Sequence, residues 1–229
     1  MPLTQTPPVV DTHPGTPTLY RRRPVGTSRL WHLRLTAQSH NLLVRHASLN
    51  PLKADDLCTS GGLNAGIEFF LVPGLVVGAE VGWVGGRFTD AVFDTDTTSV
   101  EAHSLWAGAR VGYRLWDSVT PYVRGGFSAT WLGARVHTDT QSLGGRAFAP
   151  GAYALGGVEL TIRRTWMRKV FGSEIFTMGL VFEAGWVHLG RFDLDGGKNS
   201  SGLVDDYRAG LGRLTLRGVT VNAGLVLAF

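Results

Sequence analysis

No stretch of the 229-residue chain approaches the ~20 consecutive apolar residues that a membrane-spanning helix needs, although hydrophobic residues make up 44% of it. That excludes a helical membrane protein. Cysteine is nearly missing as well. The single Cys58 rules out an internal disulfide framework and resembles neither a metal cluster nor a redox pair, so it reads as a lone loop thiol. Charged residues are sparse, at 17% of the total, and the formal net charge is +4. The basic residues are scattered singly among apolar ones and form no patch, so no nucleic-acid partner is expected. Also missing from Met1 to Gly26 is the basic, apolar and small-residue succession of a secretory signal; the segment is rich in Pro, Thr and Arg instead. An exported chain must carry such a signal, so the numbering is expected to start after cleavage or at a start site that misses it. Residues 1–28, including Arg21-Arg22-Arg23-Pro24, read as a flexible leader.

What is plentiful is glycine, 31 residues spread without a collagen-like period, accompanied by seven tryptophans. From residue 29 onward, apolar and small or polar residues alternate with period two in segments of roughly ten residues, the pattern of a barrel that crosses a membrane with strands. Leu63, Ala65, Ile67, Phe69 and Leu71 share one face, against Asn64, Gly66, Glu68 and Phe70 on the other. Val72-Pro73-Gly74 then makes a tight turn. In the next strand Val77, Ala79, Val81 and Trp83 oppose Gly78, Glu80 and Gly82, and the same split recurs in segments at 105–114, 121–131, 152–162, 176–186 and 218–229. A first, vaguer strand lies within 29–44, where Trp31, Leu33, Leu35 and Ala37 oppose His32, Arg34, Thr36 and Gln38. The fold class expected is all-β: an eight-stranded antiparallel up-and-down transmembrane barrel over residues 29–229, preceded by the leader. Turns near 73 and 117 are short, and that around 163–173 is longer. The segments 45–60, 89–98, 137–147 and 190–212 read as long polar loops on the opposite rim, which puts both ends of the barrel, and the leader, on the periplasmic side.

A soluble barrel around a ligand shows the same period with its apolar face inward. Charge placement argues against it. From strand two to strand eight the apolar face carries no charge, while Glu68, Glu80, Arg110, Arg124, Glu159 and Glu183 all fall on the glycine-bearing face. Glycine and one or two charges per strand would not solvate an exterior. Those six charges are therefore expected to point inward as a paired lumenal network that closes the barrel, since eight strands leave an interior only just wide enough for side chains. Trp83, Trp131 and Trp186 follow their turns at similar distances on the apolar face, which predicts one aromatic ring at a membrane interface, with Tyr113, Phe69 and Phe229 at the other.

Catalytic and metal signals are weak. Asp94 with Asp96, and Asp193 with Asp195, lack the spacing of a calcium loop. His103 and Ser104 are adjacent, so a strand sends them to opposite faces, and no acid completes a triad. His188, near the end of strand seven, reads as a rim histidine. No cofactor, no metal and no catalytic residues are expected.

Ala109-Arg110-Val111-Gly112-Tyr113-Arg114, Pro121-Tyr122-Val123-Arg124-Gly125-Gly126, Glu183-Ala184-Gly185-Trp186 and the closing Val221-Asn222-Ala223-Gly224-Leu225-Val226-Leu227-Ala228-Phe229 resemble the OmpA/OmpX-like superfamily of small outer-membrane barrels. The resemblance covers about residues 29–229. It implies a bacterial, Gram-negative outer-membrane location in the cell envelope. Phe229, Leu227 and Leu225 would form the signal read by the barrel-assembly machinery, with outer-membrane lipid and lipopolysaccharide as surroundings and other envelope proteins as possible partners. It does not imply cell-wall anchoring, because no peptidoglycan-binding domain follows Phe229 in this sequence. Three functions compete: a non-enzymatic barrel whose loops serve structural or partner-binding roles, a narrow channel or small-molecule conduit, and a lipid A-modifying enzyme, for which the required Ser/His pair at the outer rim is not found.

Overall fold

The computed structural model describes residues 31–44, 57–92, 96–116, 118–137, 142–162, 164–172, 176–194 and 213–229. The leader, Asp94 and Asp195 lie outside them. Among the described residues the strands are β1 (Trp31–Val44), β2 (Leu57–Val72), β3 (Leu75–Val92), β4 (Asp96–Tyr113), β5 (Val119–His137), β6 (Ser142–Thr161), β7 (Thr177–Asp193) and β8 (Arg213–Ala228), with one helix, α1 (Arg164–Phe171), between β6 and β7. Each strand pairs antiparallel with its sequence neighbour, and β8 returns to β1, so the sheet closes into a barrel without an edge.

The register fixes the shape. Passing from Trp31 through its partners Phe69, Val77, Val111, Val123, Gly156, Ala184 and Val221 leads back to β1 at Asn41, ten residues beyond the start. A shear of that size over eight strands, at ~3.3 Å per residue and ~4.8 Å between strands, tilts the strands by about 40°. Hydrogen-bonded partners therefore differ in height, and horizontal neighbours slip by roughly one residue per strand.

Three expectations change. The segments 89–98 and 137–147 are largely strand: β3 runs to Val92, β4 starts at Asp96, β5 ends at His137 and β6 begins at Ser142. Strands of 14 to 20 residues exceed the ~9–11 that suffice to span. The second change is at the longer turn, which holds α1. The third is that β7 runs to Asp193, into the segment expected as a loop from 190; there the pairing shifts between His188 and Gly190 and Gly190 takes φ +112. This bulge inserts Leu189 and inverts the alternation, so that odd residues (Val187, Leu189) face inward before it and even ones (Phe192, Leu194) after it.

A candidate functional site in the barrel lumen

The inward face holds two storeys. The lower is ionic. Arg110, on β4, donates through Nη1 to Glu68 of β2 and through Nη2 to Glu159 of β6 at 2.8 Å. Arg124, on β5, donates to Glu80 of β3 at 2.6 Å and to Glu183 of β7 at 2.7 Å. All six charges assigned inward from their parity are thus buried and joined.

A seventh charge completes the layer. Arg34 of β1 donates from Nε to Glu159 at 3.2 Å and lies 3.6 Å from Glu68. Its parity with Thr36 and Gln38 pointed inward, but the vague alternation of the first strand left it out of the expected network. Neutral groups join as well. The Tyr122 hydroxyl donates to Glu183 at 2.6 Å, Asn222 of β8 donates to the same carboxylate at 3.2 Å, and Tyr153 donates to Glu80 at 3.3 Å. The Arg110 guanidinium lies 3.8 Å from the centre of the Tyr122 ring, which links the two halves through a cation–π contact. Every strand contributes at least one member. Space for the large side chains comes from glycine: a Cβ on Gly108 would stand 2.3 Å from the Tyr153 hydroxyl.

Above this layer the lumen turns apolar. Leu132, Ala149, Phe192, Leu194, Leu214 and Leu216 are buried in one cluster with Trp106 and Tyr153. Phe192 and Leu194 come to it from the segment 190–212, which the sequence reading assigns to a loop. Between the storeys sits His40, ring to ring with Trp106 at 5.5 Å; neither of its nitrogens, nor Trp106 Nε1, nor Ser128 Oγ, finds a hydrogen-bond partner among the described residues.

The outward face is the reverse. Leu63, Val81, Val123 and Phe127 are more than half exposed, while Arg110 and Arg124 are 3% and 4% exposed inside. Water solvates no such exterior, and an ionic interior has no place in a soluble barrel's core. The chain is a transmembrane β-barrel.

Its aromatic residues mark the boundaries. Phe69 and Tyr113 are exposed and stand level with each other once the strand slip is applied, with Phe229 at the same height. Trp83 and Trp186 are also exposed and level, ~20 Å higher. Trp131 departs from the expected ring: it pairs with His103 and Phe148, one step above the rung of Trp83, and the slip raises it further, to ~10 Å above the other two. Equal counts from the turns conceal this difference because tilted strands do not climb from equal starting heights. Phe229 and Leu33 exchange two backbone hydrogen bonds, at 2.9 and 3.3 Å, so the terminal residue is locked onto the first strand. Leu225 and Leu227 pair with Ala37 and Leu35 there.

Of the other candidates, His103 bonds to Glu101 at 2.9 Å and stacks on Trp83 at 5.8 Å. Ser104 points inward to Thr130 at 2.8 Å. The two histidine and serine groups are thus held apart, as adjacent strand positions require. Among the described residues no group of His, Cys, Asp and Glu could hold a metal ion.

No protein-family model matches the sequence, and neither does any curated protein. Solved structures do. Neisserial surface protein A is similar at 10% identity and TM-score 0.46, over 86% of this chain and 96% of that one. The N-terminal β-barrel domain of Pseudomonas aeruginosa OprF is similar at 12% identity and TM-score 0.41, over 86% and 97%. The outer membrane protease OmpT from Escherichia coli is similar at 7% identity and TM-score 0.44, over 87% and 96%. At TM-scores below 0.5 these likenesses carry no weight beside the surface and register described above.

Proposed function

We propose that the chain is an integral outer-membrane protein of a Gram-negative envelope, non-enzymatic, whose lumen is sealed and whose tall upper wall and loops present a surface to partners. The observation that carries this reading is the layer in which Arg110 and Arg124 each span two carboxylates on strands across the lumen. Such a layer holds the wall rigid and occupies the space a solute would use. Eight strands leave little room beyond it, and the apolar storey above adds a dry stopper.

Lipopolysaccharide suits the outer surroundings. Arg87, Arg146, Arg191 and Arg217 are exposed on the outer face above the level of Trp83, where cations meet the phosphates of an anionic glycolipid. The terminal Leu225, Leu227 and Phe229, outward on β8 by parity, suit a role as the segment taken up by the barrel-assembly machinery. Lipid processing has less support: the one outward histidine–acid pair, His103 with Glu101, bonds to no serine or threonine hydroxyl among the described residues.

Planar-bilayer recording of the purified barrel tests the sealed lumen against a narrow channel. The expected result is a silent bilayer for the wild type. Steady conductance that changes on Arg110→Ala would overturn the reading and establish a conduit through the ionic layer.

A further inference from the structure

The helix α1 is eight residues long, Arg164-Thr165-Trp166-Met167-Arg168-Lys169-Val170-Phe171, and ends at Gly172, whose N–H donates to the Arg168 carbonyl at 3.0 Å with φ +67, a left-handed C-terminal stop. At 100° per residue, Trp166, Val170 and Met167 fall on one arc, while Arg168 and Lys169 fall on the other. Their surroundings differ sharply. Met167 is fully buried, whereas Trp166 and Val170 stay 52% and 51% exposed. Arg168 and Lys169 are exposed too.

A helix that buries its apolar centre and leaves an apolar flank open, beside two cations, is built for a boundary between oil and water. Its position agrees. The helix follows Ile162, whose N–H bonds to Met178 and whose exposed side chain continues the outward face of β6 to the height of Phe69 and Tyr113. The rim around it is apolar beyond that height: Leu71, Leu115 and Trp116 on the neighbouring turns are more than half exposed. Arg114, also exposed, stands among them.

We infer that α1 lies flat on the membrane leaflet at the short-turn rim, with Trp166 and Val170 seated among the acyl chains and Arg168 and Lys169 on the phosphates of anionic phospholipids. The inference rests on the membrane reading above. Charge complementarity and continuity with the lipid-facing belt select a lipid surface over a protein partner, since a protein would have to compete with the bilayer that already meets Ile162 on the same side. Membrane affinity from so short a helix is small by itself. Tethering at both ends by β6 and β7 supplies the local concentration that a free peptide lacks.

Site-directed spin labelling of the full chain tests this. Nitroxides are placed at Val170→Cys, Lys169→Cys and Val123→Cys, each in a Cys58→Ser background; Val123 is outward at mid-height. The barrel is reconstituted in vesicles of phosphatidylcholine with phosphatidylglycerol, and folding is checked by heat-modifiable migration. The label at position 170 is expected to be several-fold less accessible to a water-soluble nickel relaxant than the label at 169, and more accessible to oxygen. Adding Arg168→Glu and Lys169→Glu is expected to raise the nickel accessibility at 170, and so is replacing the mixture with pure phosphatidylcholine. Equal nickel accessibility at 169 and 170, with the label at 123 still shielded, overturns the inference and leaves the barrel's membrane placement standing; the flank would then await a protein. Nickel access at 123 as well overturns both.

Discussion

Arg110 and Arg124 sit directly opposite each other on adjacent strands, two cations in register where like charges ordinarily repel. They coexist because each turns to a different pair of carboxylates, Arg110 to Glu68 and Glu159, Arg124 to Glu80 and Glu183. With Arg34 the layer holds three cations against four carboxylates, an excess of one negative charge. Hydroxyl and amide donors from Tyr122, Tyr153 and Asn222 spread that excess.

Arg124→Ala strands Glu80 and Glu183 without a cation. Loss of one partner from a buried pair costs about 3–5 kcal/mol, so the urea midpoint of unfolding, followed by gel mobility in detergent, should fall markedly. Adding Glu80→Gln and Glu183→Gln to that variant should recover much of the loss. A triple variant no more stable than Arg124→Ala would show that packing of the arginine stem, not charge pairing, holds the layer.

Val123 points outward at mid-height and is 62% exposed. An arginine there should destabilise the folded barrel in lipid by about 2–4 kcal/mol, as expected for a cation near the bilayer midplane. Thr97→Arg, on the exposed upper wall of β4, should stay within about 0.5 kcal/mol. Equal effects at the two sites would contradict the assignment of the lipid belt.

At the β7 bulge, Gly190 combines φ +112 with a crowded site: a Cβ would lie 2.5 Å from Ala149 Cβ and from the Pro150 carbonyl oxygen. Gly190→Val should either abolish the bulge or unfold the upper wall. Because the bulge sets which residues of its strand face inward, hydrogen exchange at Phe192 and Leu214 should quicken while that at Arg110 and Arg124 stays slow. Uniform protection in the variant would mean that the parity shift is not held by this residue.

The His103 hydrogen bond holds the Glu101 carboxyl below its usual range. A depressed carboxylate contributes stability that is present above its ordinary value and is lost as pH falls through the lower, folded one. The side chain is exposed, so the effect on global unfolding should be small. The local readout is Trp83, stacked on His103: its fluorescence should change as pH drops below the glutamate range. Glu101→Gln should remove that acid transition, and an unchanged titration would show that the pair does not couple to the indole.

Much of this architecture was legible because a strand has only two faces. With Leu63 and Ile67 outward, Glu68 has to point inward, and the same step places Glu80, Arg110, Arg124, Glu159 and Glu183. Parity says nothing about height, which is why Trp131 was grouped with Trp83 and Trp186. It also fails where the register slips, and the inward position of Phe192 is hidden by the bulge at Gly190. The strand ends at 89–92 and 96–98 carry no apolar alternation by which a period of two could be read. Eight residues at α1 are too few for a helical period to stand out.

The seam between β1 and β8 joins Asn41 to Val221 across 180 positions of chain, while every other ladder joins immediate neighbours. Assembly is therefore strongly ordered in time. Seven ladders can zip up as hairpins while the cylinder is still an open ribbon, but the last requires both ends of the ribbon at once, and loop-closure entropy makes it the slowest contact to find. Until it forms, Arg34 on one edge and Asn222 on the other lack neighbours, and the ionic layer is exposed along an unsealed slit. Any factor that delivers this chain to a bilayer must hold those two edges apart from other strands and bring them together last.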